Sequence, residues 1–142
     1  MHSMSPMTTA LLHETNVHDD IKCSKLIITL PDDKKAFANL TVYFKNEPPK
    51  QAYCGQEEVG CGHINALYDD LTLQVYFLNT DKVICVYRCP TAPMKGFAGA
   101  GALVPMATQN LPEVLAQVQS CKESLAAVGV SGNLVDVEKC SD

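Results

Sequence analysis

Two stretches of this chain alternate apolar and polar residues with the period of two expected of a half-buried strand. From Leu71 to Asn79, Leu71, Leu73, Val75 and Phe77 fall on one face, and Thr72, Gln74 and Tyr76 on the other. After the turn-forming Asn79-Thr80-Asp81, Val83, Cys85, Tyr87 and Cys89 share a face, with Ile84, Val86 and Arg88 opposite. The pair predicts a β-hairpin. A second hairpin is predicted from Lys25 to Leu30, the turn at Pro31-Asp32-Asp33, and Ala36 to Lys45, where Leu40, Val42 and Phe44 face a core.

The periodicity changes near the C-terminus. Leu111, Val114, Leu115, Val118, Leu125 and Val128 recur at helical spacing and make one apolar stripe. Asn110 and Glu113 have the spacing of a capping box, Pro112 suits a first turn, and Gly129 ends the run. Between these segments the pattern is weak. Asn46 to Gly62, with Pro48-Pro49 and three glycines, reads as a long loop, and Met94 to Thr108 as a loop or poor helix of small residues. Leu134 to Val137 has room for a short strand. Residues 1–20 are polar, lack periodicity and read as a flexible leader. The expected fold is therefore α+β: one domain over residues 21–142, with an antiparallel sheet of about four to five strands covered by one main C-terminal helix.

At 142 residues, 46% hydrophobic and 19% charged, the chain has enough apolar material for one core and is too apolar to be disordered throughout. The net charge of −5, with basic residues scattered, argues against nucleic acid and anionic membrane as partners, because neither would meet a positive cluster. No apolar run is long enough for a transmembrane helix, and the N-terminus lacks a signal-peptide pattern. Seven cysteines, an odd count without that pattern, suggest mostly reduced thiols and a cytoplasmic location. Two features point the other way: Asn39-Leu40-Thr41 is a glycosylation sequon, and Cys23 and Cys140 flank the structured segment.

The residues richest in possible chemistry are Cys54, Cys61, His63, Cys85 and Cys89, since thiolates and imidazole bind zinc and paired thiols can switch redox state. Their spacing fits no tight zinc knuckle, and Cys85 and Cys89 within one strand would stand about 13 Å apart. Lys95, Gly96, Gly99 and Gly101 follow a strand and precede a helix, the setting of an anion-binding loop, with Arg88 as a further cation. The motif is neither a P-loop nor a dinucleotide fingerprint. Tyr43, Tyr76, Leu78 and Tyr87 put apolar area on or beside the sheet face away from the expected core, and aromatic residues anchor interfaces. The chain thus reads as a non-catalytic binding or assembly module acting through a sheet face, as a homo-oligomer or complex subunit. No cofactor is expected under that reading. The alternative is a Cys/His metal-binding or thiol-redox protein, in which zinc is the metal these ligands would suit.

Overall fold

Both expected hairpins form, but they belong to a larger sheet. The computed structural model describes residues 2–3, 6–30, 36–60, 63–68, 71–79, 82–91 and 99–141. Its strands are β1 His2–Ser3, β2 Met7–His13, β3 Ile21–Leu30, β4 Ala36–Phe44, β5 Lys50–Gly60, β6 His63–Leu67, β7 Thr72–Asn79, β8 Ile84–Pro90, β9 Gly99–Pro105 and β10 Leu134–Asp136. All pair antiparallel in one sheet, in the order β1-β3-β4-β5-β6-β7-β8-β9-β2-β10, with a further β2–β3 pairing. The expectation of an α+β domain with four to five strands is thereby corrected. Strands β2 to β9 form a curled half-barrel, and its helix, α1 (Pro112–Ala127), covers only part of the outside.

Three segments account for the difference. Met7 to Leu12, expected in the flexible leader, is a strand whose residues are all buried. Because both of its faces are covered, it shows no alternation. Lys50–Gly60, expected as a loop, pairs with β4 from Lys50 to Gln56 and with β6 from Gly55 to Gly60. Within the stretch read as a loop or poor helix, Gly99–Pro105 pairs with both β8 and β2.

The curl separates two apolar clusters. On the inside, Ala38 of β4, Ala66 of β6, Leu73 and Val75 of β7 and Val86 of β8 are buried together, with Leu26, Ile64, Phe77 and Ile84 against them. Strands as far apart in the sheet order as β3 and β8 contribute to one cluster, so the wall must bend around it. On the outside, Leu11, Cys85, Ala100, Ala102 and Val104 pack against Val114, Val118, Cys121 and Leu125 of α1. Small residues on β9 let the helix approach closely. Each fully buried Leu or Val contributes about 1.5–3 kcal/mol. Leu111, Leu115 and Val128, read as part of the same stripe, are exposed.

The helix starts and stops close to its expected limits, with Pro112 in its first turn and Gly129 just past its end at φ +97°. Its N-cap is Leu111 rather than Asn110, and no side chain caps it. Disulfides join Cys23 to Cys140 and Cys85 to Cys121, while Cys89 is free. Four of the seven cysteines are thus oxidised, which overturns the expectation of mostly reduced thiols. Among the described residues, no helix is long and apolar enough to cross a membrane.

Candidate functional site

The half-barrel has a seam along β2. One edge of β2 pairs with β9 from Met7 to Leu12. The other edge divides its partners: Met7 and Thr8 pair with Leu26 and Lys25 of β3, while Leu11 to His13 pair with β10. The ladder joining β2 to β3 is therefore only two residue pairs long, and Ile21 to Ser24 lie beyond it. A cavity of about 260 Å³ occupies this gap, lined by Thr9, Leu12, Ser24 and Val42 and, among charged residues, by Asp19, Lys22, Lys45, Asp136 and Glu138. Inside it, the Ser24 hydroxyl donates to Thr9 Oγ1 at 2.7 Å.

The C-terminal segment straps the seam from outside. The Val137 amide donates to the Ala10 carbonyl at 3.1 Å, and the Cys140 amide to Thr8 Oγ1 at 2.9 Å. The Thr8 hydroxyl in turn donates to the Ser24 carbonyl across the joint at 2.8 Å. The Cys23–Cys140 disulfide fixes the strap to β3. Gln109, itself buried, donates from Nε2 to the Cys140 carbonyl at 2.8 Å.

Among the described residues, one cation is buried in the wall. Arg88 follows Ile84 and Val86 in strand alternation, on the inner face, and is only 4% exposed. Burial pushes its pKa down to about 10, against an opposing electrostatic influence of Tyr68, so the guanidinium stays charged at neutral pH. Its Nε donates to the Gly99 carbonyl at 3.4 Å. A Cβ at position 101 would lie 2.5 Å from Arg88 Nη2 and 2.8 Å from the Leu11 carbonyl oxygen. Gly101 is therefore glycine because the guanidinium fills the space of a side chain. We expect Gly101→Ala to displace Arg88 and destabilise the fold by about 1–3 kcal/mol, read by denaturant unfolding.

The expected anion-binding loop is divided by these positions. Gly99 and Gly101 belong to β9 and flank Arg88, whereas Lys95 and Gly96 lie outside the described residues. Of the Cys/His group, the structure describes His63, Cys85 and Cys89 with their side chains. Cys85 is bonded to Cys121, and Cys61 lies outside the described residues. The Cys54 backbone pairs with Ala38, and Cys89 is a free thiol on β8 paired with Gln74. His63 stacks on Tyr76, with ring centroids 4.1 Å apart and planes 14° from parallel. Among the described residues, no group of three His, Cys, Asp or Glu side chains could hold a metal ion.

Of the interface candidates, Tyr76, Leu78 and Tyr87 line one cavity. It is an outer cavity of about 590 Å³ beside the end of α1, which His13, Val128 and Val130 also line. Tyr43 is elsewhere, packed against Cys23, Met106 and Cys140. Asn39, the sequon residue, has its Oδ1 buried within β4, a poor position for glycosylation. Sequence reasoning missed the seam, the strap and the inward guanidinium. Only the strand alternation that pairs Arg88 with Val86 pointed to the last.

No family model matches the sequence, and no curated protein matches it. Among solved structures, the chain is similar to Japanin from Rhipicephalus appendiculatus bound to cholesterol, with a TM-score of 0.61 and 11% identity. The alignment covers 94% of this chain and 91% of Japanin. At that identity, what the two share is the fold: a curled antiparallel sheet with a helix outside it.

Proposed function

We propose that this protein binds one small apolar or amphipathic molecule on the inner face of its half-barrel. The observation that carries the reading is the concave apolar lining from Leu26 through Ala38, Ala66, Leu73 and Val75 to Val86, beside a seam that opens to solvent. An eight-stranded antiparallel wall encloses enough space for side chains or one small ligand, as in lipocalins and streptavidin. Alanine at 38 and 66 thins the lining on two strands. Japanin, similar in fold, is described bound to cholesterol, which supports the reading. Two disulfides favour an oxidising compartment, so we place the working protein outside the cytoplasm. Titration with cholesterol and with oleate should give saturable binding of one molecule per chain by at least one of them. No saturable binding of either would refute the proposal.

A second reading rests on the outer cavity. Tyr76 and Tyr87 are each 38% exposed there, beside the exposed Val128, and such a surface suits association between chains. Under this reading Tyr76→Asp lowers the oligomer mass in sedimentation velocity and leaves ligand titration unchanged. An identical mass for both proteins removes it.

A further inference from the structure

We propose that the chain carries a second binding site, outside the barrel, for a phosphate or sulfate monoester of a sugar-sized molecule. The site is independent of the inner face. Basic residues scattered in sequence meet beside the strap, where a cavity of about 370 Å³ is lined by Lys22, Lys25 and Lys139. Glu138 is the one acidic residue in that lining. In a chain with 11 basic and 16 acidic residues, three cations to one anion reverse the overall sign. The seam cavity has no such excess, since Lys22 and Lys45 there face Asp19, Asp136 and Glu138. Among the described residues, none of the three ammonium groups is in an ion pair. A cleft lined by one sign of charge focuses its field and gathers counter-ions.

The Cys23–Cys140 disulfide assembles this site. Lys22 and Lys25 stand on either side of Cys23 in β3, and Lys139 precedes Cys140, so the bond joins cations from opposite ends of the chain. Like charges held together repel, and an anion between them relieves the repulsion. The floor is firm: Cys23, Met106 and Cys140 are buried, and Tyr43 packs against them. Lys25 Nζ lies 6.0 Å from the centre of the Tyr43 ring. Lys139 Nζ donates to the Gln109 carbonyl at 3.5 Å. Both lysines are half-buried, so solvent and salt screen them less than a side chain extended into water. Each ammonium is a compact charge with three donors, which suits a tetrahedral oxyanion met from several directions; a planar carboxylate is better matched by an arginine fork. Tyr43 and Ser141 add hydroxyl donors. The volume falls within the range of small-molecule sites, which leaves room for the sugar that carries the anionic group.

The test is a titration of the full, oxidised chain, followed through its backbone amide resonances at constant ionic strength. The probes are sulfate, phosphate, the 6-sulfate and 6-phosphate esters of N-acetylglucosamine, and the unesterified sugar, with chloride as the control for screening. We expect both ions and at least one ester to give saturable millimolar binding, with shifts centred on Lys25, Lys139 and Ser141, and the unesterified sugar to give none. A preference for one ester over the other assigns the source of the anionic group. In the double variant Lys25→Gln/Lys139→Gln, binding should weaken at least about fivefold, whereas Lys45→Gln, which removes a charge from the seam cavity, should leave it within about twofold. Shifts no larger than those from chloride would overturn the site. Weakening by Lys45→Gln as great as that in the double variant would also overturn it, as general attraction or binding in the seam. Binding of the inorganic ions with neither ester bound would overturn the sugar-sized ligand.

Discussion

Replacing Cys23 and Cys140 by serine together should remove about 4–5 kcal/mol of stability, on the chain-entropy account of a cross-link closing so long a loop. The two cysteines are 117 residues apart, so reduction frees nearly the whole chain in the unfolded state. The loss approaches the total stability of many domains, roughly 5–15 kcal/mol. The native state is affected as well, because the disulfide pins the strap over a β2–β3 joint of only two residue pairs. Without it, that end is held by the bonds from Cys140 to Thr8, from Gln109 to the Cys140 carbonyl and from Lys139 to the Gln109 carbonyl, and by packing on Met106. Urea unfolding of the double variant beside the oxidised protein measures the difference. An unchanged midpoint would mean that the strap is held by its hydrogen bonds and packing.

The second large effect is expected from Cys85 and Cys121. Their disulfide closes a loop of 36 residues and ties β8 to α1 on the outer face, between residues that are almost fully buried. The double serine variant should lose about 4 kcal/mol by the same account. Its signature differs from that of the first pair. Val114, Val118 and Leu125 still hold the helix by apolar contact, so hydrogen exchange in α1 should quicken more than in β7 or β8. Equal quickening everywhere would show that helix and sheet open as one unit.

How much of this could be read from the residues depended on how each strand is covered. The β3–β4 and β7–β8 hairpins were legible because their inner and outer faces differ in polarity, as Leu73 and Val75 differ from Gln74. Strand β2 was not, because α1 and the strap cover what would otherwise be its wet face, and Met7 to Leu12 carry neither alternation nor charge. Strand β9 was hidden by its small residues. Gly101 accommodates Arg88, and Ala100 and Ala102 accommodate α1, yet glycine and alanine in series are poor strand formers. Lys50–Gly60 contains four glutamine or glutamate residues and two glycines, which resemble a loop in isolation. The helix was legible from its stripe, although its exposed members Leu111, Leu115 and Val128 widened that stripe beyond the buried contact.

The candidate site was less legible than the fold. Disulfide pairing needs positions in space, and Cys23 and Cys140 are distant in sequence, so the odd cysteine count pointed toward reduced thiols. Closeness in sequence drew His63 toward Cys61, while the register pairs His63 with Tyr76. The alternation of β8 did place Arg88 beside Val86, but whether that face was the inside could be decided only by the curl of the whole sheet.

Binding inside the half-barrel is tested most directly by nuclear magnetic resonance, with uniformly ¹³C-labelled oleate or cholesterol bound to protein carrying labelled methyl groups. The account predicts ligand-to-methyl contacts at Leu73, Val75 and Val86, the inner residues of β7 and β8. Contacts confined to Val128 and Val130 beside the outer tyrosines would contradict it and move the ligand to the opposite face of the sheet.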